Sequence, residues 1–133
     1  MQIPEFMSPD HVAQMNRLLA DSVAVKEAAA AFGGTHSLTY RLDGAPSGVE
    51  YWTFEISPTG ARFLLGPPAT TPDATVSVDW TTMMRSARAE REGREVPAPD
   101  AQVSGDAAMM ARLQEVVEIA RTIATVDSRI PEV

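Results

Sequence analysis

The chain has 133 residues and no cysteine, and 18 Asp plus Glu against 11 Lys plus Arg give a net charge of -7 at pH 7. That length fits one domain, 1–133, burying roughly two-thirds of the surface its unfolded chain exposes, so a core forms without staples. A disulfide scaffold, a thiolate zinc site and a cysteine nucleophile are excluded, and the acidic balance repels phosphate backbones, which argues against nucleic acid as a partner. No apolar run approaches the roughly 20 residues that span a bilayer. The start, Met1-Gln2-Ile3-Pro4-Glu5, has neither the basic end nor the apolar stretch of a signal peptide, so no stable membrane insertion and a cytoplasmic location are expected. Twenty alanines, ten arginines and a single lysine suit a GC-rich bacterial genome.

Ser8-Pro9-Asp10 reads as a helix start, a capping hydroxyl followed by proline at the first helical position, and Val12, Met15, Leu19 and Val23 recur at helical spacing. One helix is predicted from there to Phe32, stopped by Gly33-Gly34. From Thr35 the period becomes two: His36, Leu38, Tyr40 and Leu42 share one face. Beyond the turn residues 43–48, Trp52, Phe54 and Ile56 do the same. Matching the apolar faces pairs Leu38 with Phe54 and Tyr40 with Trp52, because a slip of one residue would set Leu38 beside Thr53. A third strand is expected over Ala61–Leu65, and a fourth carries Ala74, Val76 and Val78 after Pro72-Asp73. Asp79 then caps a short amphipathic helix with Trp80, Met83, Met84 and Ala87 on one side, ending at Gly93. Val96-Pro97-Ala98-Pro99-Asp100 forms a stiff connector, Ala101-Gln102-Val103 a brief edge strand, and Ser104-Gly105-Asp106 opens a last helix reaching Val126.

Helix, antiparallel strands, helix, short strand and long final helix make an α+β layer arrangement. It resembles the sterol carrier protein 2 family, the non-specific lipid-transfer proteins. The resemblance is carried by the segments Ser37–Gly44, Trp52–Ile56 and Pro72–Asp79, and above all by Val103-Ser104-Gly105-Asp106 leading to Ala111 and Leu113; it spans residues 10–125. Two features depart from the family: a shorter segment over 93–105, and a C-terminus, Arg129-Ile130-Pro131-Glu132-Val133, unlike a peroxisomal address. The resemblance implies a mostly antiparallel five-stranded sheet with helices on one face, enclosing an apolar tunnel for an acyl chain or sterol-like molecule. It brings no catalytic residues and no cofactor.

The last helix bears the most informative pattern. Projected at 100° per residue, its apolar arc is about 180° wide, more than a helix lying on one sheet needs. The surplus faces the Trp80 helix, a second copy of the chain or a ligand. With seven methionines in the chain, Met83, Met84, Met109 and Met110 on the two late helices offer adaptable apolar surface for a ligand, or fill an irregular core. The candidate ligand-binding residues are Trp52, Phe54, Trp80, Met83, Met84, Met109, Met110, Leu113 and Val117. Met110 lies at the edge of the arc expected to line a channel, whereas Val116 and Ile119 lie at the edge expected to pack on a neighbouring helix. Arg85, Arg88 and Arg91, interleaved with Glu90, Glu92 and Glu95, read as a solvated ion-paired face, with a site for an anionic headgroup or a coenzyme A phosphate as the alternative. His11 and His36 lie 25 residues apart with no metal or hydrolase spacing around them, so no metal site is expected.

Three functions compete. The first is binding and intracellular carriage of an apolar small molecule: fatty acyl, sterol-like or polyketide-like. The second is a small cavity enzyme of lipid or secondary metabolism using His36 or Tyr40, which share a strand face about 13 Å apart, for proton transfer. The third is an accessory subunit docked on a partner enzyme or paired as a homodimer.

Overall fold

The computed structural model describes residues 3–46, 48–67, 71–95 and 101–130, so the connector expected at 96–100 lies outside the described residues. Helix α1, Pro9–Asp21, starts where its cap dictates, with Ser8 Oγ accepting from the His11 N–H at 3.3 Å. The single helix expected through Phe32 is two. Ser22, extended at φ -89° and ψ 119°, ends α1 and starts α2, Val23–Phe32, and its Oγ accepts the Val25 N–H at 3.2 Å. The apolar spacing runs on from Leu19 to Val23, but Val23 is exposed, and it is Leu19 and Val25 on either side of the joint that enter the larger cluster; the Ser22 hydroxyl offers the backbone an alternative to the helical ladder.

Five strands follow: β1 (His36–Ala45), β2 (Gly48–Ser57), β3 (Gly60–Leu65), β4 (Ala74–Asp79) and β5 (Gln102–Gly105), in the order β3-β2-β1-β4-β5. β1 and β2 pair with Leu38 opposite Phe54 and Tyr40 opposite Trp52, the register that matching the apolar faces requires. The expectation of a mostly antiparallel sheet is corrected to a mixed one: β4 lies parallel to β1, with Leu38 opposite Ala74 and Tyr40 opposite Val76. Alternation along a strand reports which face a side chain takes and says nothing of the direction of its neighbour.

β5 pairs antiparallel with β4 and ends at Gly105, which has φ +101° and lies so close to β4 that an added Cβ would stand 2.4 Å from the Asp73 carbonyl oxygen. Only glycine fits there. Two more helices flank β5: α3, Trp80–Arg91, capped by Asp79 on the Thr82 N–H at 3.0 Å, and α4, Ala107–Ile123, capped by Asp106 on the Met109 N–H at 3.0 Å.

The four helices of the described residues pack against the sheet face that carries Leu38, Tyr40 and Leu42, in two clusters. The larger gathers Leu19, Val25, Phe32, Leu38, Ile56, Leu113 and Val116 among others; the smaller joins Leu42, Trp52 and Val78 to Met84 of α3. On the opposite face Thr39 and Thr53 are buried, Oγ1 to Oγ1 at 3.0 Å, and Thr53 donates to the Gly66 carbonyl at 2.9 Å.

Candidate ligand cavity

Between the two clusters lies a cavity of about 500 Å³. Tyr40 and Met7 pack against both clusters and line it. Its floor is the sheet: Tyr40, Trp52, Phe54 and Phe63, the last two with ring centroids 5.1 Å apart. One side is α1, through His11 and Met15, and Asn16 fixes that side by exchanging two hydrogen bonds with the backbone of Phe63, at 2.7 and 2.8 Å. The other sides are a stripe of α3 (Met83, Ser86, Ala87, Glu90, Arg91) and a stripe of α4 (Gln114, Val117, Arg121), continued by Ala124, Thr125 and Val126. Each stripe recurs at three and four residues, the spacing of one helix face.

Two segments remote in the chain, one carrying Phe6 and Met7 and the other Ile130, line the remaining side. Glu5 and Arg129 form a parallel bridge: the Phe6 N–H donates to the Arg129 carbonyl and the Arg129 N–H to the Pro4 carbonyl, both at 2.8 Å. Phe6 meets Trp52 edge-on, centroids 5.6 Å apart and planes at 82°, and also lies against His11. Arg88 donates to the Ile130 carbonyl at 2.8 Å, and Arg91 donates to both the carbonyl and the hydroxyl of Ser128. The expected solvated ion-paired face of α3 is therefore only part of the account, since two of its three arginines tie the C-terminal segment down.

The polar groups of the wall are already engaged, with one exception. Arg121 of α4 bonds Glu90 of α3 across the cavity's rim, and that carboxylate holds the guanidinium pKa above its ordinary value. Gln114 donates to the Tyr40 hydroxyl at 3.3 Å; burial raises the phenol pKa, and the Gln114 bond offsets only part of the rise. His11 Nδ1 accepts the Met7 N–H at 2.9 Å, which puts the ring proton on Nε2. Burial first, and then the charge of Arg91, lower its pKa, so the ring is neutral at pH 7. Thr125 donates to the Thr122 carbonyl at 2.9 Å. The exception is Ser86, 8% exposed, whose Oγ has no partner among the described residues. A buried hydroxyl in that state costs about 1–3 kcal/mol.

Of the residues singled out from sequence, Trp52, Phe54, Met83 and Val117 line the cavity. Met84 and Leu113 are buried in the smaller and larger cluster respectively, Met109 and Met110 pack against the larger, and Trp80 packs against the smaller. Met110 therefore stands away from the cavity, and Ile119, expected to behave as core, is 39% exposed. His36 and Tyr40 are not brought together. His36 bonds Asp73 at 3.1 Å and the Gly33 carbonyl at 3.1 Å, while Tyr40 faces the cavity. Asp73 does more than turn the chain: burial pushes its carboxyl pKa up, but bonds from the Ser37 N–H and His36 outweigh this and leave it low. Sequence reasoning missed the residues 6, 7, 11 and 15, which lead into and run along one face of α1, and the polar members of the α3 and α4 stripes. The signal for the latter was present as Gln114 and Arg121 three and four residues from Val117, but polar residues at a stripe's edge read as solvent-facing.

No family model and no curated protein matches the sequence. Solved structures do. A structure of sterol carrier protein 2 superposes with a TM-score of 0.53 at 19% identity, covering 90% of this chain and 99% of the other. The chain has the sterol carrier protein 2 fold. A Thermus thermophilus protein for which a sterol carrier identity has been suggested matches at TM-score 0.52 and 21% identity, over 96% of this chain and 93% of that one. A UbiJ-SCP2 ubiquinone synthesis protein matches at TM-score 0.50 and 20% identity, over 84% and 88%. No helix among the described residues is long and apolar enough to cross a membrane.

Proposed function

We propose that this chain is a single-domain carrier that binds an apolar small molecule, fatty acyl, sterol-like or polyketide-like, in the cavity between its two core clusters and releases it unchanged. The observation that carries this reading is the cavity itself: its roughly 500 Å³ falls in the size range of small-molecule sites, and its floor is aromatic. Burial of the ligand's hydrocarbon surface supplies the affinity. Trp52, Phe54, Met83 and Val117 contact the ligand together with Tyr40, Phe63 and Met15, and the bridged chain ends at Glu5 and Arg129 act as the closure of a tunnel. Delipidated protein titrated with a fluorescent fatty acid is expected to bind it saturably at micromolar order and to release it to unlabelled lipid or sterol. Absence of saturable binding across a broad set of apolar probes refutes the reading.

A second reading, delivery of a lipid-like intermediate to a biosynthetic enzyme, is favoured by the likeness in fold to the UbiJ-SCP2 ubiquinone synthesis protein. Co-purification of the carrier with an enzyme that consumes the co-extracted lipid is its test.

A further inference from the structure

His11 joins four parts of the molecule beside the cavity. It stands in the first turn of α1, 3% exposed, and its Nδ1 accepts the Met7 N–H at 2.9 Å. The Phe6 ring lies against it with centroids 5.6 Å apart, a bond to the Val126 backbone ties it to the C-terminal segment, and the charge of Arg91 reaches it from α3.

Residues 5–8 form a turn, closed by the Ser8 N–H on the Glu5 carbonyl at 3.0 Å. Met7 is its third residue, with φ +58°, the one positive value at a non-glycine among the described residues. Glycine ordinarily takes that position, because a Cβ crowds the backbone there. The turn is therefore strained. The Met7 bond to His11 pins it, with Phe6 laid edge-on over Trp52 of the cavity floor.

The pin works only with a neutral ring, since Nδ1 accepts through its lone pair and a proton there would set N–H against N–H. A second cation would also face Arg91 and the positive end of α1. The Val126 bond favours the proton, but burial and Arg91 outweigh it. The other titratable groups of these elements are engaged or solvated. Glu90 is bonded to Arg121, Arg88 to the Ile130 carbonyl, and Glu5 is paired with Arg129 at 3.8 Å; Tyr40 is a neutral phenol, and Asp10 and Asp127 are exposed. If the turn lifts, the ring meets water and regains its ordinary pKa of about 6.5. Above that pH both forms are neutral and the pin holds. As pH falls below it, the open form binds the proton and the closed form resists, so acid favours the open form.

We propose that His11 is an acid-released catch: its neutral ring pins the turn at residues 5–8 beside the cavity, and its protonation frees Met7 and lifts Phe6 from Trp52, so that the ligand leaves. It rests on the carrier reading, to which it adds the signal for release.

The test is transfer of a pyrene-labelled alkane, whose charge does not change with pH, from the full chain to phosphatidylcholine vesicles, timed by stopped flow at about pH 7.5 and about pH 5.5, on either side of the imidazole value. Wild type is expected to release it on the order of three- to tenfold faster at the lower pH, the worth of one lost hydrogen bond. His11→Asn keeps an acceptor and cannot titrate, so the ratio of its two rates should be near unity. Met7→Gly, at ease with a positive φ, should blunt the acceleration with the histidine still present. Amide protection at the lower pH should fall at Phe6, Met7 and Arg129 while that of Leu38 and Leu113 persists, which separates opening from unfolding. Equal wild-type rates at the two pH values, full acceleration in either variant, or loss of protection throughout the chain overturns the catch and leaves the carrier reading intact. Failure of the labelled alkane to bind at the higher pH overturns both.

Discussion

Leu38, Tyr40 and Leu42 stand on one face of one strand and meet two different interiors. Leu38 and Leu42 are fully buried, each in its own cluster, while Tyr40 between them is half-buried and looks into open space. The difference comes from the helices above. α4 leans on α2, and together they seal the sheet over Leu38; α3 lies on β1 and β4 and seals it over Leu42. Where these two groups part, the helices are joined at the rim by Glu90 and Arg121 instead of by apolar contact, and the sheet below stays uncovered. A packed core and a cavity can thus be built from the same strand, distinguished only by what lies opposite each side chain.

The largest expected effect belongs to the sealed side. Leu113 has no exposed surface, so Leu113→Ala should cost about 2–5 kcal/mol in chemical denaturation, through lost burial and a residual cavity, with little change in ligand affinity. Equal loss of affinity would mean that the two interiors are mechanically one.

Filling the hollow side should do the reverse. Val117, buried in the larger cluster, also borders the cavity, and Val117→Phe is expected to lower affinity for a fluorescent fatty acid at least tenfold, with a stability cost of about 1–3 kcal/mol. A cavity that binds as well when filled is not the binding site.

The closure comes next. Arg91→Met removes the bonds to Ser128 and should cost about 1 kcal/mol in thermal melts, and it should speed hydrogen exchange at the Phe6 and Arg129 amides that form the bridge between the chain ends. Unchanged exchange would show that the bridge holds without α3.

The smallest effect is a pH dependence at the same place. The His11 pKa is lowered on folding, so the unfolded chain takes up a proton as pH falls below the ordinary imidazole value of about 6.5 while the folded chain resists. Stability is therefore expected to decline from about pH 7 towards pH 5, and His11→Asn, which keeps an acceptor near the Met7 N–H, should remove that part of the decline. Identical melting profiles for the two proteins would place the titrating group elsewhere.

What lay in the sequence was the local order. Period-two runs set the β1–β2 register, and Ser8, Asp79 and Asp106 set three helix starts, because side-chain alternation and cap bonds involve only residues close in the chain. The break at Ser22 was legible too, as a hydroxyl three residues before Val25, but the uninterrupted apolar spacing masked it. Four of the nine candidate ligand residues line the cavity, and the other five share their chemistry without their position.

Tertiary structure alone decided the rest. Whether Met83 or Met84, neighbours in one helix, lines the hollow or fills the core depends on how α3 is rotated over β1 and β4, a matter of packing that hydrophobicity does not encode. The parallel pairing of β1 with β4, the crossing of Phe6 over Trp52 and the reach of Arg121 to Glu90 join residues far apart in the chain, and only the assembled layers bring them within bonding distance. The composition specified an apolar interior, and the arrangement of helices over the sheet opened a cavity within it.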